Sequence, residues 1–485
     1  MKMQFMKIPK IIHIISNALQ RKNAKAIIVG GCVRDYLLQM PIKDYDVEVY
    51  GLATLDELAS ILTQYGSVNL VGKSFGVLKF SYEGVEYDFS FPRTESKVGD
   101  GHRGFDVEVD GNLDFKTAAR RRDFTVNALG YDVQSGELLD PFDGIKDIKE
   151  KKLRHIDDAT FVEDPLRVYR AVQFSARFGF ELANETFLLC KQMVKEGMLE
   201  ELAKERIYEE WKKLLLKSSK PSTGFELMRT LGILERYFPE LHALVDVPQS
   251  PKWHPEGDVW VHTMMTLDAM HQELKIKNAP EQSDRCPWGE KLKMKDKQKL
   301  KFLFAILCHD LGKAVSTTID VKGNIRSIGH EITGLELSKS LMYRLTDEHT
   351  FIESLLPLVA HHLKPSQFYA NGAKSAAIRR LATKVNIEEL VLVAKADFLG
   401  RTTEEALYGD YKAGDWLLEK ASKLNVKTKP LECVVQGRDL LDLGLEPSPL
   451  FKSIIDEVYT LQLAGTITSK EEAYAWIKKK YLKSR

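Results

Sequence analysis

The 485-residue chain reads as α+β, a small mixed-sheet head followed by long helical segments. Three observations predict this. Strand-like runs crowd the first 145 residues: "AKAIIVGG", "DYDVEVYG", and the alternating runs of "FGVLKFSYEGVEYDFSFPR", which hinge on Glu83-Gly84 as a hairpin does. From about Lys146 the strand signals fade and helical patterns take over, as in "EDPLRVYRAVQFSARFGF", "ERIYEEWKKLLLK" and "GFELMRTLGILERYF". Proline, glycine and polar residues then cluster in "VDVPQSPKWHPEGD" and near "LNVKTKPLE", marking further boundaries. The expected parts are a head with a basic first helix (1–145), a helical neck and body (146–245), a histidine-rich helical region (246–425) and a helical tail (426–485).

A chain of this length exceeds one ordinary core. Cys32, Cys190, Cys286, Cys308 and Cys433 lie far apart without a CxxC pair, which argues against a disulfide framework or thiolate zinc site and for a reducing compartment. No apolar run approaches the roughly 20 residues that span a bilayer, so the reading is cytoplasmic with no membrane partner. A net charge of +1 says nothing for nucleic acid. Its distribution says more, because Lys2, Lys7, Lys10, Arg21, Lys22, Lys25 and Arg34 stand in the first 34 residues without one acid. Such a bias marks an organelle leader or a basic surface. Ile8, Ile11, Ile12, Ile15 and Leu19 recur at helical spacing, which favours a first helix packed onto the next domain.

In the head, "AKAIIVGG" is a buried strand running into a glycine turn, "CVRDYLLQ" a helix and "DYDVEVYG" a second strand. Residues i and i+2 of a strand share a face, about 7 Å apart. Asp44 and Asp46 are therefore expected to present two carboxylates side by side, hard ligands for magnesium alongside triphosphate oxygens. Gly30 and Gly31 let backbone amides approach phosphate, and Arg34 on the helix can clamp it. An acidic pair alone is common at strand ends. The glycine turn, the arginine and the pair in one β-turn-α-β unit are far more specific.

Together, "GGCVRDYLLQMPIKDYDVEVYG" resembles the first motif of the nucleotidyltransferase superfamily, specifically of the bacterial class II tRNA nucleotidyltransferases that build the 3'-terminal CCA. "RRDFTVNALGYD" resembles the second motif, which implies that Arg122 and Asp123 contact the phosphates and ribose, with Asn127 in the same nucleotide site. The run before it, "DFKTAARRRD", lacks the acidic residue the family carries ahead of the arginines. "EDPLRVYRAVQF" resembles the base-reading motif, and on a helix Asp164 and Arg167 would sit at i and i+3 on one face, an acceptor beside a rigid fork of donors. "ERIYEEWKKLL" resembles the helix-stabilising motif and is expected to be scaffold. Asp88, on the later strand, is the candidate third carboxylate. Singly, Arg121, Arg122 and Asp123 are also what a surface charge cluster offers, and Glu163 with Arg167 an ordinary ion pair. Their order along the chain argues otherwise.

The resemblance implies Mg2+ held by Asp44 and Asp46, a triphosphate steadied by Gly31, Arg34, Arg122 and Arg170, and CTP and ATP as substrates. It implies tRNA rather than DNA as partner, gripped by shape and phosphate contacts on basic helices of the neck and tail. Glu95 to Asp110 is expected to be a flexible stretch that lets one pocket switch from cytosine to adenine. A poly(A) polymerase of the same fold, or an enzyme adding only CC or only A, shares these motifs.

Histidines crowd the region from His254 to His362. "VWVHTMMTLDAM" supplies His262, "LFAILCHDLGKA" His309 and Asp310, "GHEITG" His330, "LVAHHLKP" His361 and His362, and "AKADFLGR" Asp397. Imidazole with carboxylate suits a divalent metal. A His-Asp dipeptide ending a strongly apolar helix is unusual unless a metal satisfies both groups. The pattern resembles an HD-type metal-dependent phosphohydrolase domain, so the whole is expected as a nucleotidyltransferase head, an all-α neck and body and an all-α HD domain. The resemblance implies His262, His309, Asp310 and Asp397 as ligands of Mg2+, Mn2+, Ni2+ or Co2+, with His330 and His361 assisting a phosphate or a second metal. It also implies hydrolysis of phosphomonoesters and 2',3'-cyclic phosphates in the repair of tRNA ends. A rival of another class makes this hydrolysis the main activity and the head an RNA-binding module. "KIKNAPEQSDRCPWGEKLKMKDKQK" is expected to be an exposed loop, and both monomer and homodimer stay open.

Overall fold

The computed structural model describes residues 6–482 apart from 43, 70–75, 98–104 and 278–293. The chain forms two compact units, Met1–Arg236 and Tyr237–Arg485, so the main division falls slightly before the expected 246 and keeps head and neck together.

The head runs α1 (Lys10–Gln20), β1 (Lys25–Val29), α2 (Gly31–Leu37), β2 (Asp46–Tyr50), α3 (Leu55–Leu62), β3 (Ser67–Asn69), β4 (Val77–Tyr82) and β5 (Val85–Ser90). It continues through β6 (Arg93–Lys97), β7 (Phe105–Val109), α4 (Phe115–Arg120), β8 (Gly130–Asp132) and β9 (Leu138–Leu139). Seven strands form one sheet in the order β3-β4-β5-β2-β1-β8-β9. The sheet is mixed, as expected: β2 and β5 pair in parallel, whereas β1 pairs antiparallel with β2 and β8. Glu83 and Gly84 both take positive φ, 49° and 78°, the turn that matches strand twist and closes the β4–β5 hairpin.

Period-2 alternation decides what each face carries. Ala26, Ile28, Val47, Val49, Phe80 and Phe89 face one side, where Ile11, Ile12, Ile15 and Leu19 of α1 and Leu58, Ile61 and Leu62 of α3 complete the core. The first helix thus packs on the sheet by the face its spacing predicts, each side chain contributing about 1.5–3 kcal/mol by burial. On the other face Ile27, Val29 and Tyr50 make a small cluster with Ala118, and the alternation leaves Asp46 and Glu48 on that side. The ends of the Glu95–Asp110 stretch pair as β6 with β7, while 98–104 lie outside the described residues.

The neck comprises α5 (Gly144–Glu150), β10 (Lys152–Leu153), α6 (Asp158–Glu163), α7 (Leu166–Phe178), β11 (Glu181–Leu182), α8 (Asn184–Glu196), α9 (Lys204–Lys217), α10 (Ser222–Thr230) and α11 (Ile233–Tyr237). Phe124 meets Phe161 and Phe174 edge-on at 5.7 and 5.9 Å, which ties the "RRDFTVN" segment to α6 and α7. The neck is helical apart from the short parallel pair β10–β11.

The second unit contains α12 (Pro239–His242), α13 (Val259–Lys277), α14 (Asp296–Cys308), α15 (Lys313–Ser316), β12 (Thr317–Ile319), β13 (Ile325–Ser327), α16 (His330–Tyr343) and α17 (His349–His361). After these come α18 (Lys364–Ala370), α19 (Ser375–Ala382), α20 (Ile387–Leu399), α21 (Glu404–Tyr408), α22 (Lys412–Lys423), α23 (Gly437–Asp442), α24 (Leu450–Ala464) and α25 (Lys470–Tyr481). Helix α13 packs on α14 and α20, and α17 packs on α14 and α16. The antiparallel β12–β13 hairpin is an addition to the all-helical expectation. Val435, Leu440, Ile454, Val458 and Ile477 give the tail a core of its own. Most of the insert after α13 lies outside the described residues. Among the described residues Cys32, Cys190, Cys308 and Cys433 are free, and no helix is long and apolar enough to cross a membrane.

Candidate active sites

In the head, Asp46 opens β2 and is the register partner of Asp88 on β5, whose backbone N–H donates to Tyr45 O at 3.1 Å. Asp44 lies two residues ahead of β2 and outside it, so the expected strand relation between Asp44 and Asp46 does not form as a ladder. Both nevertheless line one cleft of about 460 Å³ with Gly31, Arg34, Arg177 and Lys217. Burial pushes the Asp46 carboxyl above its usual range; Arg122 opposes this, while Asp88, Asp44 and Glu48 add to it. A cluster of carboxylates that repel one another fits a bound cation.

Glu48, which the sequence reading passed over, lies on the same face of β2 as Asp46. Its buried Oε1 accepts from Arg122 Nη2 at 3.0 Å and Arg121 Nη2 at 3.1 Å, and Oε2 accepts from Tyr50 OH at 2.8 Å. Burial raises that carboxyl, but Arg122 and Arg121 bring it below its usual range. The effect is to hold Arg122 over the glycine turn. Gly30 has φ +73°, and a Cβ there would come within 2.7 Å of Arg122 Nη1, whereas a Cβ on Gly31 would meet Arg34 Nη2 at an ordinary 3.5 Å. Gly30→Ala is therefore expected to cost about 1–3 kcal/mol in urea unfolding, with Gly31→Ala nearly silent in stability. Equal unfolding midpoints for the two variants would refute this.

A relay of side chains links the remaining candidates. Arg34 Nη1 donates to Asn127 Oδ1 at 2.5 Å, Asn127 Nδ2 to Asp123 Oδ1 at 2.8 Å, and Arg170 Nε to Asp123 Oδ2 at 2.7 Å. Arg34 also binds Asp35 and stacks over Phe178 at 4.5 Å. Burial raises the Asp123 carboxyl, yet Arg170 and Asn127 hold it below its ordinary value. Asp123 thus commits both oxygens within the protein, as a strut between α7 and the turn.

The pair expected to read a base, Asp164 and Arg167, departs from expectation. Pro165 separates α6 from α7, and Asp164 sits in extended conformation at the break, so Asp164 and Arg167 do not share a helix face. Arg167, 8% exposed, donates to the carbonyls of Thr160 and Arg121, each at 2.7 Å. Asp164 instead meets Arg206 of α9 at 3.3 Å, with side chains 21% and 29% exposed.

In the second unit α14 is buried from Phe302 to Cys308 and delivers His309 and Asp310 at its end. A Cβ on Gly312 would lie 2.1 Å from His330 O, so this glycine admits the start of α16 and brings His330 Nε2 to 3.2 Å from Asp310 Oδ1. His309 Nε2 stands 3.2 Å and Lys313 Nζ 2.7 Å from Asp310 Oδ2. Even so, His309 Nε2 and both Asp310 oxygens are buried without a hydrogen bond of good geometry. Asp397 Oδ1 lies 3.2 Å from His262 Nε2 and accepts from Arg401 Nη2 at 3.0 Å.

The ligand atoms of His262, His309 and Asp310 lie within 4.8 Å of one another, as do those of Asp310, His330 and His362. His362, not the expected His361, faces the centre. Successive helical residues are turned about 100° apart, so only one of the two can point inward. Burial pushes the His362 imidazole down to about 3, leaving it neutral as a ligand must be. Burial raises the Asp310 carboxyl, but His309 and Lys313 take it well below the carboxylate range. Ionised carboxylates and buried atoms without a well-formed hydrogen bond together fit a divalent metal. Around them Gln249, Trp253, Lys313 and Arg401 wall a cleft of about 250 Å³. Lys313 and Arg401 were legible as i+3 and i+4 companions of Asp310 and Asp397.

Family models match three stretches: the "Poly A polymerase head domain" over 26–154, the "Probable RNA and SrmB- binding site of polymerase A" over 179–245 and the "HD domain" over 283–401. A "Multifunctional CCA protein" from Pseudoalteromonas atlantica is 36% identical over 406 residues, covering 81% of this chain and 91% of that protein. Among solved structures, the Bacillus stearothermophilus CCA-adding enzyme in complex with CTP superposes with a TM-score of 0.64 at 21% identity, covering 99% of each chain. The Thermotoga maritima CCA-adding enzyme complexed with tRNA gives 0.58 at 19% identity, covering 97% of this chain and 95% of that one. At these identities the structural likeness is one of fold.

Proposed function

We propose that this chain, which belongs to the family of the multifunctional CCA proteins, adds CMP, CMP and AMP to the 3' end of tRNA from CTP and ATP without a nucleic-acid template, and hydrolyses phosphoester ends at its HD centre. The observation that carries the first activity is the pairing of Asp46 with Asp88 beside a glycine turn held against Arg122. The terminal 3'-hydroxyl attacks the α-phosphate in line and pyrophosphate leaves. Asp44, Asp46 and Asp88 would hold magnesium, which would supply positive charge to acidify the hydroxyl and offset the leaving group. Arg122, over the glycine turn, steadies the triphosphate, and Arg177 and Lys217 line the cleft that holds Asp44 and Asp46. Arg34 and Arg170, held by Asn127 and Asp123, keep the floor of the site rigid. Asp164 offers acceptors to the incoming base, with Arg206 as the adjacent fork of donors and Arg167 as the strut behind them.

The test is extension of a tRNA transcript lacking CCA, with magnesium and CTP, ATP or both, resolved at single nucleotides. Three additions that stop, with CTP needed before ATP, are expected. An A ladder, or addition of CC or A alone, would select the polymerase or the partial enzymes.

For the HD centre the substrate class is a phosphomonoester or 2',3'-cyclic phosphate of a nucleoside. Ionised Asp310 and Asp397 with the imidazoles would hold the metal, which supplies an activated water. Lys313 and Arg401 offer charge to phosphate oxygens, and Trp253, 56% exposed at the wall of this cleft, offers a face to a base. Trp253→Ala is expected to raise KM for adenosine 2',3'-cyclic phosphate by a factor of about 5–150, the worth of one stacked base, with kcat and the hydrolysis of glycerol 2-phosphate unchanged. Equal losses on both substrates would remove the base from this reading.

A further inference from the structure

The imidazoles at the HD centre share one device: Nδ1 is tied and Nε2 points inward. In three of them the tie is a backbone carbonyl three residues earlier, Ile306 O to His309 at 2.6 Å, Ser327 O to His330 at 2.7 Å and Val359 O to His362 at 2.7 Å. His262 differs. Its Nδ1 lies 2.7 Å from Oε1 of Glu256, a carboxylate on the loop ahead of α13 whose side chain is 1% exposed.

We propose that Glu256 is a positioning residue of this metal centre, which rests on the metal-site reading given above. By accepting the Nδ1–H of His262 it selects the tautomer whose Nε2 lone pair faces Asp310 and Asp397. Its charge makes that nitrogen a stronger donor than the carbonyl-tied imidazoles. The carboxylate is itself well anchored: Oε1 also accepts from His254 Nδ1 at 2.9 Å, and Oε2 accepts from the Thr402 backbone N–H at 3.2 Å, next to the Arg401 that holds Asp397. Glu256 therefore couples its own loop and the adjoining α13 to the segment just after α20, far along the chain. His254 packs edge-on against the His262 ring, with centroids 4.5 Å apart, and closes that side.

The test titrates the metal-stripped full chain with Co2+ by calorimetry and by the Co2+ absorption band, alongside thermal melting of the metal-free forms. Glu256→Gln keeps the shape and removes the charge. It is expected to weaken Co2+ binding about 10–100-fold and shift the absorption band, with melting little changed. His254→Ala leaves the Glu256–His262 contact in place and is expected to bind Co2+ like the parent. An E256Q chain within twofold of the parent, or H254A and E256Q losing affinity equally, overturns the proposal, the latter by making the loop and not the charge responsible. Loss of cooperative melting in E256Q makes the residue structural and overturns it too. A parent that binds no Co2+ above the background of His309→Gln overturns the metal reading itself, which tells that failure apart from this one.

Discussion

Asp46→Asn is expected to lower nucleotide addition at least about a thousandfold while the protein melts at the same temperature or higher. The loss follows from chemistry. Asn keeps one weak oxygen ligand but not the charge with which Asp46 and Asp88 would hold a divalent cation. The melting behaviour follows from electrostatics. The folded-state pKa of Asp46 is raised by burial and then, against Arg122, by Asp88, Asp44 and Glu48. A carboxyl with a raised folded pKa destabilises the fold at pH values above it, and that cost fades as pH falls through it and the group takes up a proton. Asn carries no such cost at any pH. Measured in a chelator, the stability gap between variant and parent should be widest near neutral pH and close in acid. Retention of more than a tenth of the extension rate would sink the catalytic assignment; a clear drop in melting temperature would mean that Asp46 supports the fold instead.

Much of the head was legible because its strands obey period 2. Ala26 and Ile28 against Ile27 and Val29, and Val47 and Val49 against Asp46 and Glu48, sort to opposite faces in the structure as they do on paper. The same alternation already contained Glu48, which an eye fixed on a DxD pair passed over. Asp44 misled because a pairing rule was applied one turn too early: the ladder begins at Asp46, and Asp44 reaches the cleft from the connection before it. At Asp164 the warning stood in the next residue, since proline pushes its predecessor out of helical conformation. Hence Arg167 turns to the carbonyls of Thr160 and Arg121, and Arg206 meets Asp164 instead.

What stayed hidden in the second unit is non-local. "VDVPQSPKWHPEGD" has the composition of a domain boundary, yet Gln249, Trp253, His254 and Glu256 wall or brace the HD centre. No periodicity announces a loop that closes on helices further along the chain. The choice between His361 and His362 likewise depends on where α17 ends. Its last turn places the Val359 carbonyl beneath His362, and that bond aims Nε2 at Asp310.

Asp310→Asn and His309→Gln should each abolish metal binding and phosphoester hydrolysis while leaving CCA addition at the parent rate. Asp310 is the shared member of both ligand groups, with His309, His330 and Lys313 within 3.2 Å of its carboxylate. Asn lacks the charge that a divalent ion requires and cannot offer two equivalent oxygens. The same change leaves Lys313 as a buried cation with Gln249 its remaining partner, and breaking a buried ion pair costs about 3–5 kcal/mol. Metal-free D310N is therefore expected to melt below the parent, which makes it a poor witness alone. His309→Gln is the cleaner variant, because it removes one ligand and leaves the Asp310–Lys313 pair intact. If H309Q melts like the metal-free parent, gains no stability from Co2+ and hydrolyses no adenosine 2',3'-cyclic phosphate, the lost function belongs to the ligand and not to the fold. Hydrolysis surviving in H309Q would move the chemistry away from Asp310, and a parallel loss of CCA addition would mean that the two activities are not carried by separate sites.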